Sequence, residues 1–223
     1  MQTTSDSIYS YLPSLDVSPP RFLRLPAANV AVDTSDYFAE VMKATNNRIF
    51  RFNRMPIPYY IQPTSQDYVV AAQKAVEAWQ SRTNSAFKFV RVPNQQQARI
   101  SIVWSHLGLP KDPSNTEFGA HTITEWTAGG GNIFGNDSAK KGTVKPQTIQ
   151  VNLDVIEVRE KDRQVPLLQN LLTHEFGHAI GIIGHSTQRG DMMFPNTDEY
   201  SRISQRDLNT LQKIYARECD FPL

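Results

Sequence analysis

The stretch THEFGHAIGIIGHS, residues 173–186, carries His174, Glu175 and His178 in the pattern H-E-x-x-H. A helix repeats every ~3.6 residues, so the two histidines stack one turn apart on one face. Two imidazoles placed this way can grip one metal ion. Zinc in a catalytic site commonly takes three protein ligands and leaves the fourth position to water. Glu175 is turned by roughly 100° from His174 around the helix. It flanks the ion's position without ligating it, which suits a general base acting on a water whose pKa the metal lowers to about 7. Gly181 marks the helix end, because glycine accepts the left-handed turn that lets a chain swing back. His185, four residues after Gly181, offers a third imidazole. The alternative is a two-histidine site completed by Asp191 or by water.

Outward from this stretch, PLLQNLLTHEFGHAIG (166–181) reads as one helix, with Pro166 near its first position and Leu168, Leu171, Leu172, Phe176 and Ala179 on the buried side. QTIQVNL (147–153) alternates as a strand, with Ile149, Val151 and Leu153 pointing one way. SQDYVVAAQKAVEAWQSRT (65–83) is a helix capped by Ser65, with Asp67 in its first turn and a stripe of Ala72, Ala75, Val76 and Trp79. AFKFVRV and ARISIVWS read as strands; in the second, Ile100, Ile102 and Trp104 share a face. NRIFRFNRMPIPYYIQP (47–63) suggests two short strands interrupted by Pro56 and Pro58, near a sheet edge. AHTITEW (120–126) contains a short strand, and TAGGGNIFGNDSAKKG (127–142) has the composition of a long flexible loop. SQRDLNTLQKIYAR (204–217) is a closing helix with Ser204 and Asp207 in a capping pattern and Leu208, Leu211 and Ile214 facing the core. Strands first, then helices around an irregular segment, is an α+β plan. Residues 1–45, with four prolines in YLPSLDVSPPRFLRLPAANVAVDTSD and no period, read as an N-terminal extension, a pro-segment or linker ahead of a domain at 46–223.

HSTQRGDMMFPNT (185–197) places Met193 eight residues after His185, followed by Phe194 and Pro195. This resembles the Met-turn of the metzincins, and most closely the matrixins, the matrix-metalloproteinase family. The Ser-Gln-x-Asp entry to the closing helix is similar to theirs as well. The resemblance spans residues 46–218 in element order and is motif-specific from residue 167 onward. It implies the metzincin fold: a five-stranded mixed, twisted sheet, two long helices above the cleft, and a small C-terminal subdomain holding the Met-turn and the final helix. Counted back from the Met-turn, His185 stands where the family's third ligand belongs. The irregularity is then one added residue in GIIGH, outside the helix, where Gly184 lets the chain bend. The Gly-x-x-Gly-His spacing is similar to that of matrixin-like proteins from cyanobacteria.

The resemblance further implies a zinc-dependent endopeptidase with one catalytic Zn2+, the ligands His174, His178 and His185, and Glu175 as general base. Met193 would form an apolar floor beneath the metal. Pro195 stands where other metzincins carry a tyrosine near the metal, which favours the matrixin branch. Phe194, Pro195, Asn196 and Thr197 would wall the pocket for the side chain after the scissile bond, with Thr197 where the family usually has tyrosine. An extended substrate would add to the edge strand, contacting Ala120 and Thr122. GAHTI also resembles the strand that helps hold a structural zinc in the family. Gly108 stands where that site needs an aspartate, so His106 and His121 are read as surface histidines. Asp112, Glu117 and Asp137 form no calcium-loop pattern and read as solvated charges. A thiol latency device cannot operate, since Cys219 lies beyond the last helix. Asp16, in PSLDVSPP, is the candidate carboxylate for that part, ahead of Asp33 and Asp36.

Bulk properties exclude several classes. Charged residues are 20% of the chain and the net charge is +1, so no basic field points to nucleic acid. The single cysteine forbids an intramolecular disulfide and a Cys-based zinc cluster. No apolar run approaches the ~18 residues of a membrane span. The start MQTTSDSIYSYLP lacks a signal pattern, and a secreted or extracytoplasmic location comes from the resemblance alone. The expected partner is a polypeptide substrate and the expected state a monomer. Two readings compete with the peptidase: a non-catalytic zinc-stabilised binding module, and a metal-dependent amidase with a closed pocket for small molecules. Glu175 argues against the first, because a structural site has no use for a base beside an open coordination position.

Overall fold

The computed structural model describes residues 34–111, 119–128, 142–198 and 200–223. Its centre is a five-stranded sheet of β2 (Ile57–Ile61), β3 (Phe89–Arg91), β4 (Ile100–Ser105), β5 (Ala120–Ile123) and β8 (Gln147–Asn152), in the order β3-β2-β4-β8-β5. The first four strands run parallel and β5 runs antiparallel to β8. The sheet is therefore mixed, with β5 at one edge. Strand alternation places Ile100, Ile102, Ile149 and Val151 fully inside.

Two long helices cover this core. α2 (Gln66–Arg82) buries Ala72, Ala75, Val76 and Trp79, the stripe its 3.6-residue period demands. α4 (Lys161–Ala179) buries Leu168, Leu171, Leu172, Phe176 and Ala179. The Phe176 ring meets Tyr59 and Phe89 edge-on at 6.3 and 6.0 Å, which seats α4 on the sheet. The Trp79 indole N–H donates to the Thr173 carbonyl at 2.7 Å and ties the two helices together. A short helix, α3 (Leu153–Glu157), follows β8, and the final helix is α5 (Gln205–Ala216). The Ser204–Asp207 capping box at its start forms in both directions.

Several expectations change. β2 is interior, although Pro56 and Pro58 suggested an edge. Pro58 is tolerated because pairing with β4 starts only at Tyr59, opposite Ile100; its carbonyl still accepts from the Arg99 N–H at 2.8 Å. Pro166 is the sixth residue of α4, since the polar segment from Lys161 onward is already helical. Leu153 opens α3 and does not extend β8. The ends of the presumed loop 127–142 pair as a hairpin, β6 (Trp126–Ala128) with β7 (Gly142–Val144). Ser65 sits at the N-cap of α2 without a side-chain cap bond.

The N-terminal boundary also moves. Residues 34–45 include a helix, α1 (Phe38–Ala44), whose Val41 and Met42 join Tyr37 in the core. Tyr37 reaches α5 twice, its N–H donating to Thr210 Oγ1 at 3.0 Å and its hydroxyl to Asp207 Oδ1 at 2.6 Å. The packed domain therefore begins before residue 46. Asp36 pairs with Lys213 at 2.7 Å and accepts from the Phe38 N–H, so its carboxylate is committed at α5. Asp16, Asp33, Asp112, Glu117 and Asp137 lie outside the described residues. The chain closes with β1 (Phe50–Arg51) paired to β9 (Phe221–Pro222), where the Phe50 and Phe221 rings stack at 4.8 Å.

Candidate active site

The site is built at the C-terminal end of α4. Gly181 has φ +118°, and the chain turns there through two bonds: Gly181 N–H to the His178 carbonyl and Ile182 N–H to the Gly177 carbonyl, both 3.0 Å. This is a Schellman closure, which a left-handed residue just past the helix makes possible. A Cβ at Gly181 would also lie 2.5 Å from the Phe50 carbonyl oxygen. The turn has a direct consequence for the site. It carries the Ile182 carbonyl over His178, whose Nδ1 it bonds at 2.7 Å. Tyr215 of α5 secures the same corner, its hydroxyl donating to the Ile180 carbonyl at 2.9 Å.

His174 is oriented by the opposite wall. Its Nδ1 lies 2.7 Å from the Met192 carbonyl and 3.0 Å from Thr197 Oγ1. With Nδ1 held on carbonyls, both rings are left with Nε2 as a ligand atom. His185 completes the cluster: one ligand atom from each of the three histidines lies within 4.8 Å of the others. The His174 and His178 rings stand at 86° to each other, and the His185 ring is nearly parallel to that of His174 at 5.3 Å. Burial pushes the pKa of His174 well below its ordinary value and lowers that of His178, so both rings favour the neutral form that ligates metal. Three converging imidazoles, two of them with their Nδ1 atoms already engaged, fit zinc. Asp191 stands elsewhere. Its carboxylate pairs with Arg206 at 3.0 Å and takes the Ser186 hydroxyl, which ties the loop after His185 to α5. The two-histidine alternative therefore loses its aspartate.

The residue added between Gly181 and His185 is packed. Ile182 is fully buried, and a Cβ at Gly184 would lie 3.3 Å from the Val41 Cα and 3.4 Å from the Ala44 Cβ of α1. Met193 is fully buried and rests against Gly177 of α4, one residue ahead of the second ligand. Asp207 holds this turn from below, accepting the Met192 N–H at 3.0 Å and the Met193 N–H at 3.4 Å in addition to its cap bonds. Sequence reasoning read Asp207 only as a cap. Its second task depends on how α5 docks beneath the turn.

Glu175 is buried. Its Oε2 accepts from the Thr122 hydroxyl at 2.7 Å, and burial raises its pKa to about 7 against the opposing Thr122 bond. A cleft of about 560 Å³ lies over these groups, lined among others by Ala120, Thr122, Glu175, the three histidines, Pro195 and Thr197. Phe194 is half-buried and Asn196 exposed; neither lines the cleft. His121 does line it, whereas His106 bonds Asp154 at 2.7 Å, which pulls its pKa up.

The Matrixin peptidase family model matches residues 51–216. The chain belongs to the matrixin family. The match covers the five-stranded sheet, α2, α4, the histidine cluster and all of α5, and it makes this matrixin a member of a metallopeptidase family. No curated protein matches the chain. Among the described residues, no helix of this matrixin is long and apolar enough to cross a membrane.

Proposed function

We propose that this matrixin is a zinc-dependent endopeptidase that cleaves extended polypeptides, with His174, His178 and His185 holding the ion and Glu175 as general base. The observation that carries this reading is the juxtaposition of the three-imidazole cluster with a buried carboxylate in the wall of one open cleft. Zinc bound there polarises the scissile carbonyl and acidifies water. Glu175 takes a proton from the attacking water and passes it to the leaving nitrogen. An extended substrate lies along β5, the end strand of the sheet, and adds to it by backbone pairing beside Ala120. Pro195 and Thr197 wall the far side. Family membership supports work outside the cytoplasm.

The experiment is Glu175→Ala and Glu175→Gln in the zinc-loaded protein, assayed on an unstructured polypeptide. Zinc content should stay near that of the unaltered protein, and cleavage should fall by at least about 100-fold. Undiminished turnover would sink the general-base assignment. A zinc-loaded unaltered protein that binds unstructured polypeptides without cleaving them would favour the binding-module reading.

A further inference from the structure

The resemblance assigns Thr122 to substrate contact. Its hydroxyl is turned instead toward the base. Oγ1 lies 2.7 Å from Glu175 Oε2 and 2.9 Å from the Glu175 backbone carbonyl. Among the described residues it is the side-chain donor to that carboxylate, and the Thr122 backbone N–H adds a second, lesser hydrogen bond. A carboxylate this deeply buried needs a donor, because a charged group without one is strongly destabilised. Position and stiffness come from the sheet. The antiparallel pairing of β5 with β8 sets Thr122 opposite Ile149, and a β-branched side chain has few rotamers to choose from. The hydroxyl has one proton and two acceptors within reach, so it keeps a partner throughout the proton transfer.

We infer that Thr122 is a positioning residue for Glu175: its hydroxyl, fixed on the strand along which the substrate lies, holds the carboxylate in the orientation from which it meets the attacking water. This rests on the reading of Glu175 as general base. It couples two parts of the cleft, since a displacement of β5 moves the donor and so the base.

The test uses the full-length zinc-loaded chain and a fluorogenic unstructured peptide. Thr122→Val keeps the shape and removes the donor. kcat should fall about 10- to 100-fold, the range expected for losing a hydrogen bond to a charged group. KM should stay within about twofold, and zinc content should be retained. Thr122→Ser should recover most of the lost kcat, and Thr122→Ala should not. In the metal-free protein, the Glu175 side-chain carboxyl resonance should move in Thr122→Val and return in Thr122→Ser. A Thr122→Val protein with kcat within twofold overturns the inference. So does a rise in KM at unchanged kcat, which would return Thr122 to substrate contact. Glu175→Gln, measured alongside, separates the two levels. If it is active, the general-base reading falls and the positioning role with it. If it is inactive while Thr122→Val is fully active, only the positioning role falls.

Discussion

The sulfur of Met193 occupies the place beside Gly177 that a Cβ on that residue would take, with Trp79 closing the other side at 3.0 Å from the same point. The turn at Met193 thus approaches α4 through the one helical residue without a side chain, between the two histidines of the H-E-x-x-H pattern. In an ordinary helix interior, glycine to alanine gains up to about 1 kcal/mol. Here the added methyl overpacks a fully buried contact, at a cost of about 1–3 kcal/mol. Gly177→Ala should therefore lower the urea midpoint, with a net loss of up to about 2 kcal/mol. Combined with Met193→Ala, the same change should be milder than the sum of the two. A raised midpoint in the single variant would mean that Met193 moves aside freely.

His185→Ala and Asp191→Ala should part company. His185 is one of three clustered imidazoles, so its loss should weaken zinc binding by more than the 10- to 100-fold typical of a residue that only orients a ligand. Asp191 sits between Ser186 and Arg206, and its removal leaves a mostly buried guanidinium unpaired. That should cost about 3 kcal/mol of stability. Zinc titration and denaturant unfolding of both variants separate the effects, and equal zinc loss with equal destabilisation would contradict them.

The segment after β4 is pinned by a charge pair that titrates. Asp154 bonds His106 Nδ1 at 2.7 Å and accepts from the Gly108 N–H at 2.6 Å, while Asn152 takes the Leu107 N–H. Leu107, Gly108 and Leu109 line the cleft. The hydrogen bond to Asp154 raises the His106 pKa, and the bond from His106 lowers that of Asp154. The His106 contribution to stability is therefore complete below its unfolded value of 6.5 and disappears as pH rises through the higher folded value. The Asp154 contribution is present above its unfolded value of 3.8 and is lost as pH falls through the lower folded value. The clamp is fullest between those limits. In an NMR titration, His106 should titrate above 6.5 and return toward it in Asp154→Asn. An unmoved His106 would show that the pair does not persist in solution.

Truncation should show where the domain begins. A chain of residues 34–223 retains Tyr37, Val41 and Met42 in the core and should unfold cooperatively. A chain of residues 46–223 loses all three, together with the Tyr37–Asp207 bond beneath the turn at Met193 and the α1 surface against Gly184. The loss should be on the order of 5 kcal/mol from apolar burial. Equal thermal midpoints for the two chains would refute the assignment of α1 to the packed domain.

The sequence by itself determined that His174 and His178 share one helix face, because the helical period stacks residues four apart. His185 and Met193 were picked out by the resemblance of their eight-residue step to the matrixin pattern. The same local rules located the apolar stripes of α2 and α4 and the capping box of α5. What they could not reach was anything made by distant segments meeting. That Pro58 lies inside the sheet depends on where β4 begins to pair. That α1 belongs to the domain depends on Tyr37 finding Asp207, 170 residues away. That Glu175 has a hydroxyl partner depends on an edge strand lying across α4, and the tolerance of Gly177 for Met193 on a turn folded beneath it. Such contacts carry no periodic signal in the chain, since packing a core selects for volume and donor position at a point in space, and only the tertiary structure brings those points together.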